Sequence, residues 1–198
     1  MKKKISELLK NYKRYNQLNR LEDNLLDQGC VNVGSGSSRV VYRVSATQVV
    51  KIAISAAGTR QNKVEYKVGS KGFQGLITKV HKEFNNCKII VADYVKPLSE
   101  EKFKKIYGIT FRKFGNYVFY EKEKYTIDYF KSDYFKKYCK KPKRKLLNLL
   151  RAIHEFCEQQ NMTEYELVDI WQWGIVNNRA IILDYGLNQD IYVRYYAS

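Results

Sequence analysis

The feature that most constrains this chain is a change of period at residues 29–30. Before it, Ile5, Leu8, Leu9, Tyr12 and Tyr15 recur at helical spacing, and Leu18, Leu21 and Leu25 extend the stripe. The other face is basic and Gln28-Gly29 closes the segment, so residues 3–27 are expected to form one amphipathic helix. After it come Val31, Val33, Val40, Val41, Tyr42, Val44, Val49, Val50 and Ile52, interrupted by Gly34-Ser35-Gly36-Ser37-Ser38 and by Ser45-Ala46-Thr47. That pattern predicts three short strands in a meander with a glycine-rich first turn.

The rest of the chain alternates less cleanly. Residues 57–69 read as a short helix, with Val64 and Val68 one turn apart and Gly69 behind them. Ile77 to Val80 and Cys87 to Val91 read as two further strands, and Asp93 to Leu98 as a linker. Ser99 is a fitting cap for a helix running to Tyr107. The aromatic-rich stretch 110–135 takes no clear assignment. Lys143 to Gln159 is an amphipathic helix with Leu146, Leu149, Leu150, Ile153 and Cys157 on one face, and residues 175–183 form a hairpin about Asn177-Asn178. The order is therefore helix, β-rich lobe, linker, helical lobe and hairpin.

Within that order, three features carry chemistry. A glycine loop between two strands lets backbone amides approach phosphates. Val49-Val50-Lys51-Ile52-Ala53 sets a lysine inside an apolar strand, and Glu65 on the following helix is its candidate partner. Leu183-Asp184-Tyr185-Gly186 sets a carboxylate just past an apolar strand, where a magnesium ligand could sit.

Gly34-Ser35-Gly36-Ser37-Ser38-Arg39-Val40-Val41-Tyr42, then Lys51, Glu65 and Asp184-Tyr185-Gly186, resembles the protein-kinase-like superfamily. The closer resemblance is to the small kinase-like proteins of bacteriophages and some bacteria. Val50-Lys51-Ile52-Ala53 with Gly58, Gln61, Asn62 and Glu65 is similar to their strand-to-helix pattern, Asp93 to Ser99 to their hinge, and Gln172-Trp173-Gly174 with Ile181 to Gly186 to their catalytic-loop-to-metal segment. The resemblance implies an α+β, protein-kinase-like two-lobed fold. Residues 1–29 would be an N-terminal basic helix, 30–96 an antiparallel small lobe, and 97–198 a truncated helical lobe.

It also implies roles. Lys51, held by Glu65, would contact the phosphates of ATP. Backbone amides of Gly34, Ser35, Gly36, Ser37 and Ser38 would cover them, and Asp93, Tyr94 and Val95 would line the adenine edge. Asp184 would bind Mg2+. The positions that a kinase fills with a catalytic aspartate and a metal-binding asparagine are occupied here by Glu166, or Asp169 if the loop is shorter, and by Gln172. Glu and Gln each add a methylene, and catalysis responds to misplacement of about 1 Å by about a hundredfold. Fourteen residues follow Asp184, too few for an activation segment and peptide-docking helices. The expected function is a degenerate kinase or pseudokinase with a protein partner from a host or a virion. The alternatives are an active minimal kinase and a basic nucleic-acid-associated protein.

Charge bears on that last alternative. Thirty-six Lys and Arg against 20 Asp and Glu give a formal net charge of +16, which favours anionic partners. Seven of the ten residues 136–145 are basic: Lys136, Lys137, Lys140, Lys141, Lys143, Arg144 and Lys145. Tyr125, Tyr129, Tyr134 and Tyr138 interleave with lysines, a mixture suited to phosphate contact and base stacking or to ordinary half-buried packing. At 44% apolar residues the composition is that of a folded chain. Cys30, Cys87, Cys139 and Cys157 form no zinc spacing with His81 and His154, and thiols in a reducing cytoplasm are expected. No apolar run approaches the roughly 18–20 residues of a membrane span.

Overall fold

The computed structural model describes residues 3–71, 73, 75–120, 143–162 and 164–197. The chain divides into two compact units. One is Met1–Phe73 with Ile77–Val95 and Tyr185–Ser198; the other is Gln74–Leu76 with Lys96–Asp184.

The first unit is built on a five-stranded antiparallel sheet. Its strands are β1 (Val31–Ser35), β2 (Arg39–Arg43), β3 (Gln48–Ala53), β4 (Val80–Phe84) and β5 (Ile89–Asp93), in the spatial order β1-β2-β3-β5-β4. Strand alternation sorts its two faces. Val40, Tyr42, Val50, Ile52, Ile89 and Val91 point to one side and form a core with Ile5, Leu9, Tyr12, Leu21 and Leu25. Those last five come from helices α1 (Lys3–Asn11) and α2 (Leu18–Asp27), which therefore cover that face. Helix α3 (Ala56–Gly69), capped by Ser55 Oγ on the Gly58 N–H, serves the other face.

The expected single helix over 3–27 is instead two, joined by a 3-10 turn at Tyr15–Gln17. The cause lies far away in sequence. The Asn85 amide, in the β4–β5 turn, donates to the carbonyls of Leu9 (2.9 Å) and Tyr12 (2.6 Å), and the Lys88 ammonium donates to that of Lys13. These donors take carbonyls that a continuing helix would need. The Gln17 carboxamide then accepts the N–H groups of Lys13 and Arg14.

The unit ends with α7 (Gln189–Tyr195), capped by Asn188 Oδ1. Residues 185–198 group with the sheet unit. Gln61 Nε2 donates to the Tyr196 hydroxyl at 3.0 Å, tying this tail to α3.

The second unit holds α4 (Glu100–Tyr107), α5 (Phe111–Tyr120), α6 (Arg144–Gln160) and a three-stranded antiparallel sheet in the order β6 (Lys96–Pro97), β7 (Trp173–Val176) and β8 (Arg179–Ile182). Ser99 caps α4 as expected, accepting the Lys102 N–H. Asn177 and Asn178 take left-handed φ values of 49° and 58°, which a two-residue turn of the primed kind requires. Phe103, Phe111, Phe114 and Trp173 stack edge-to-face or tilted in the core, with centroids 5.0 to 6.4 Å apart. Trp173 is fully buried, with its Nε1 donating to Leu167 O, whereas Trp171 is 79% exposed.

Candidate functional site

Lys51 stands opposite Val41 on β2 and Ile90 on β5, on the sheet face away from the apolar core. It is only 6% exposed, and a buried ammonium is tolerable only with a partner. That partner is Glu65, wholly buried on α3, whose Oε2 lies 2.5 Å from Lys51 Nζ. Sequence reading named this pair but missed a third member. Arg39 Nη1 reaches Glu65 Oε1 at 2.6 Å and Asn62 Oδ1 at 3.3 Å. Each carboxylate oxygen thus serves a different cation. Arg39 occupies the place of the third glycine in a Gly-x-Gly-x-x-Gly loop, and that mismatch was the available signal.

Asn62 holds the frame around this triad. Its amide donates to the carbonyls of Lys51 (3.3 Å), Cys87 (2.9 Å) and Lys88 (3.2 Å), joining α3 to β3 and to the β4–β5 turn. Tyr185 presents its ring 5.8 Å from Lys51 Nζ, and its hydroxyl donates to Thr78 O at 2.6 Å. A Cβ at Gly69 would lie 2.1 Å from that hydroxyl, and one at Gly186 2.7 Å from Gln61 O. Small residues at 69 and 186 are what let the Tyr185-Gly186 segment sit against α3.

The glycine turn between β1 and β2 is internally bonded. The Gly36 N–H donates to Arg39 O (2.9 Å), and the Gly34 N–H to Asn32 Oδ1 (3.0 Å). Ser38 is buried; its Oγ donates to Gln61 Oε1 at 3.0 Å and its carbonyl accepts the Ile54 N–H. Ser35 and Ser37 are exposed. A Cβ at Gly34 or Gly36 would meet only ordinary contacts at 3.9 Å, whereas one at Gly58 would lie 2.1 Å from Ser38 O. Packing therefore demands glycine at 58 and does not demand it at 34 or 36.

At the end of β5, Asp93 Oδ1 lies 2.6 Å from His81 Nε2, the Asp93 N–H donates to Lys79 O, and the Tyr94 N–H donates to Thr47 O. The Arg43 guanidinium lies over the Tyr94 ring at 5.1 Å. Val95 is the last residue of the first unit before Lys96 pairs with Ile175.

In the second unit, Glu166 lies in a 3-10 turn at Glu164–Val168, and its Oε2 accepts from Gln172 Nε2 at 3.4 Å. Asp169 accepts the Trp171 N–H at 3.0 Å and so caps the next 3-10 turn, Ile170–Gln172. The Leu183 N–H donates to Gln172 O at 2.7 Å, which places Asp184 one residue beyond that tie. Among the described residues no group of three or more His, Cys, Asp or Glu is placed to hold a metal ion. Lys136, Lys137, Lys140 and Lys141 lie outside the described residues. Lys143, Arg144 and Lys145 are exposed at the start of α6, and Lys143 Nζ donates to Lys105 O at 2.8 Å. None of the described helices is long and apolar enough to cross a membrane.

No family model and no curated protein sequence matches this chain. Among solved structures it is similar to the streptomycin–ATP–APH(2")-IIa ternary complex, at 14% identity and a TM-score of 0.41, over 84% of this chain and 70% of that one. That likeness concerns the path of the backbone.

Proposed function

We propose that the chain is a kinase-like, nucleotide-binding protein of the small bacteriophage or bacterial kind, working as a pseudokinase or degenerate kinase. The observation that carries this reading is the buried Lys51–Glu65 pair at 2.5 Å. A lysine on β3 locked by a helix carboxylate is the arrangement that offers an ammonium to the phosphates of ATP. Exposed Ser35 and Ser37 in the turn beside Arg39 add polar groups, and Asp93, Tyr94 and Val95 would border the adenine. Asp184 and Gln172 carry the hard oxygen donors that would take Mg2+, an ion that needs only one or two protein ligands and leaves the rest to water and phosphate. Bound there, Mg2+ would neutralise phosphate charge.

The loop chemistry favours binding over transfer. Asp169 Oδ1 accepts the Trp171 N–H and Glu166 Oε2 accepts from Gln172 Nε2, so one oxygen of each carboxylate is turned to its own loop. A base for phosphoryl transfer must reach the accepting hydroxyl. A kinase-shaped module without transfer acts through a protein partner, and the basic start of α6 suits an acidic surface on it.

The test is thermal unfolding with and without ATP and Mg2+, run beside transfer of labelled phosphate, for wild type, Lys51→Ala and Asp184→Ala. The expected result is a rise in Tm for wild type, a smaller rise for Asp184→Ala, none for Lys51→Ala, and no labelled product. Absence of any wild-type shift would reject nucleotide binding. Labelled product that Asp184→Ala abolishes would replace the pseudokinase with an active kinase.

A further inference from the structure

We propose that the second unit carries a separate binding site for a small phosphate monoester, in the cavity where α6 meets the β7–β8 turn. The cavity encloses about 260 Å³. That is below the roughly 300–1,000 Å³ of drug-sized ligand pockets, so it suits a phosphate with a few carbons.

Its lining sets polar side chains beside apolar Leu76, Leu149 and Ala152, and its charged residues are of one sign. Lys145 and Asn148 come from adjacent turns of α6, three residues apart on one face. Asn177, Asn178 and Arg179 come from the tight turn and the first residue of β8. No Asp or Glu is among the lining residues, and neither Lys145 nor Arg179 makes an ion pair among the described residues. Two cations gathered around a concavity raise a potential that an anion relieves. They match the charge of a phosphate monoester, which carries about −1.5 to −2 at neutral pH. An arginine offers a planar fork to two phosphate oxygens, and a lysine a point charge. The positive end of the α6 dipole lies one residue from Lys145 and adds the same sign.

The floor supplies a donor that is not yet used. Tyr107 is 4% exposed and lines the cavity. Its hydroxyl oxygen accepts the Ala180 N–H at 2.9 Å, while its own proton has no acceptor among the described residues. Burial holds the Tyr107 hydroxyl above its usual ionisation range, so it stays a donor. A buried donor without an acceptor is costly, and a ligand oxygen would relieve it.

The experiment is calorimetric titration of the full chain with glycerol 3-phosphate, glycerol and acetate, repeated on Arg179→Ala, Lys145→Ala and Lys51→Ala. The expected result is saturable binding of glycerol 3-phosphate with Kd below about 1 mM, none of glycerol, and acetate weaker by about tenfold or more. Arg179→Ala and Lys145→Ala should each weaken binding about tenfold, the scale of one lost charge-assisted contact. Lys51→Ala should leave it unchanged, which separates this site from the nucleotide reading. No saturation, equal binding by Arg179→Ala, equal binding of acetate, or loss in Lys51→Ala would each overturn the proposal.

Discussion

Gly58→Ala is a substitution that sequence rules call stabilising and the structure calls harmful. In a helix interior, alanine for glycine gains about 0.5–1 kcal/mol. Here the added Cβ would lie 2.1 Å from Ser38 O, 3.0 Å from Ser38 C and 3.1 Å from Arg39 Cγ. The first of these is about an ångström too close, and the obstacle is backbone. The Ser38 carbonyl cannot simply retreat, because it accepts the Ile54 N–H at 2.9 Å. Overpacking of this kind costs about 1–3 kcal/mol. A weakened hydrogen bond adds about 0.5–1.5 kcal/mol. After subtracting the propensity gain, the net loss is about 0.5–4 kcal/mol. For a chain of this length that lowers Tm by about 2–4 °C per kcal/mol. The control is Gly36→Ala, whose Cβ would meet only Arg39 O at 3.9 Å and should change stability by under about 0.5 kcal/mol. Thermal unfolding followed by circular dichroism on both variants decides it. A Gly58→Ala protein as stable as wild type, or more so, would refute the close-approach reasoning.

Three other outcomes follow from the same frame. Glu65→Ala leaves Arg39 and Lys51 buried without the carboxylate they share, and should cost about 3–5 kcal/mol in urea denaturation; a loss under about 1 kcal/mol would mean the triad is not sealed from water. Asn85→Gly keeps the left-handed φ of 54° but removes the amide from Leu9 O and Tyr12 O, so it should cost about 1–3 kcal/mol and loosen α1 in hydrogen exchange, whereas unchanged protection of α1 would contradict the capping role. Burial, with neighbouring Tyr15 and Glu22, pushes the Tyr12 hydroxyl up from about 10 to about 12. Its folded-state value being raised, the stability it confers is whole below pH 10 and is lost as pH climbs from 10 toward 12. Tyr12→Phe should flatten that part of the stability curve, and an identical alkaline slope in both proteins would count against it.

Lys51 and Glu65 were legible in sequence because two local periods expose them. A charged residue inside an apolar strand must face away from its neighbours, and the next helix presents a carboxylate at the right turn. Arg39 was not legible. An arginine opening a strand reads as a solvated end, and only the fold shows that it enters the same carboxylate. The break between α1 and α2 was invisible for a similar reason, since Asn85 acts on Tyr12 across 73 positions. Helix α7 is too short for its period to register. The segment from Glu166 to Gln172 resisted reading because 3-10 turns carry no apolar stripe. Asp169 caps the Ile170–Gln172 turn, where the resemblance offers Glu166, or Asp169 if the loop is shorter, for the catalytic position.

The central claim is that the Lys51–Glu65 pair exists to hold a nucleotide. The most direct measurement is equilibrium titration of ATP into wild type, Lys51→Ala and Glu65→Gln, at low salt and with Mg2+ present. The expected result is saturable 1:1 binding by wild type, weakened about tenfold or more by Lys51→Ala, the scale of one lost charge-assisted contact to phosphate. Glu65→Gln should fall between the two, because the lysine remains but loses its anchor. Binding by Lys51→Ala equal to wild type, with both proteins folded, would contradict the claim, as would a wild-type protein that takes up no ATP.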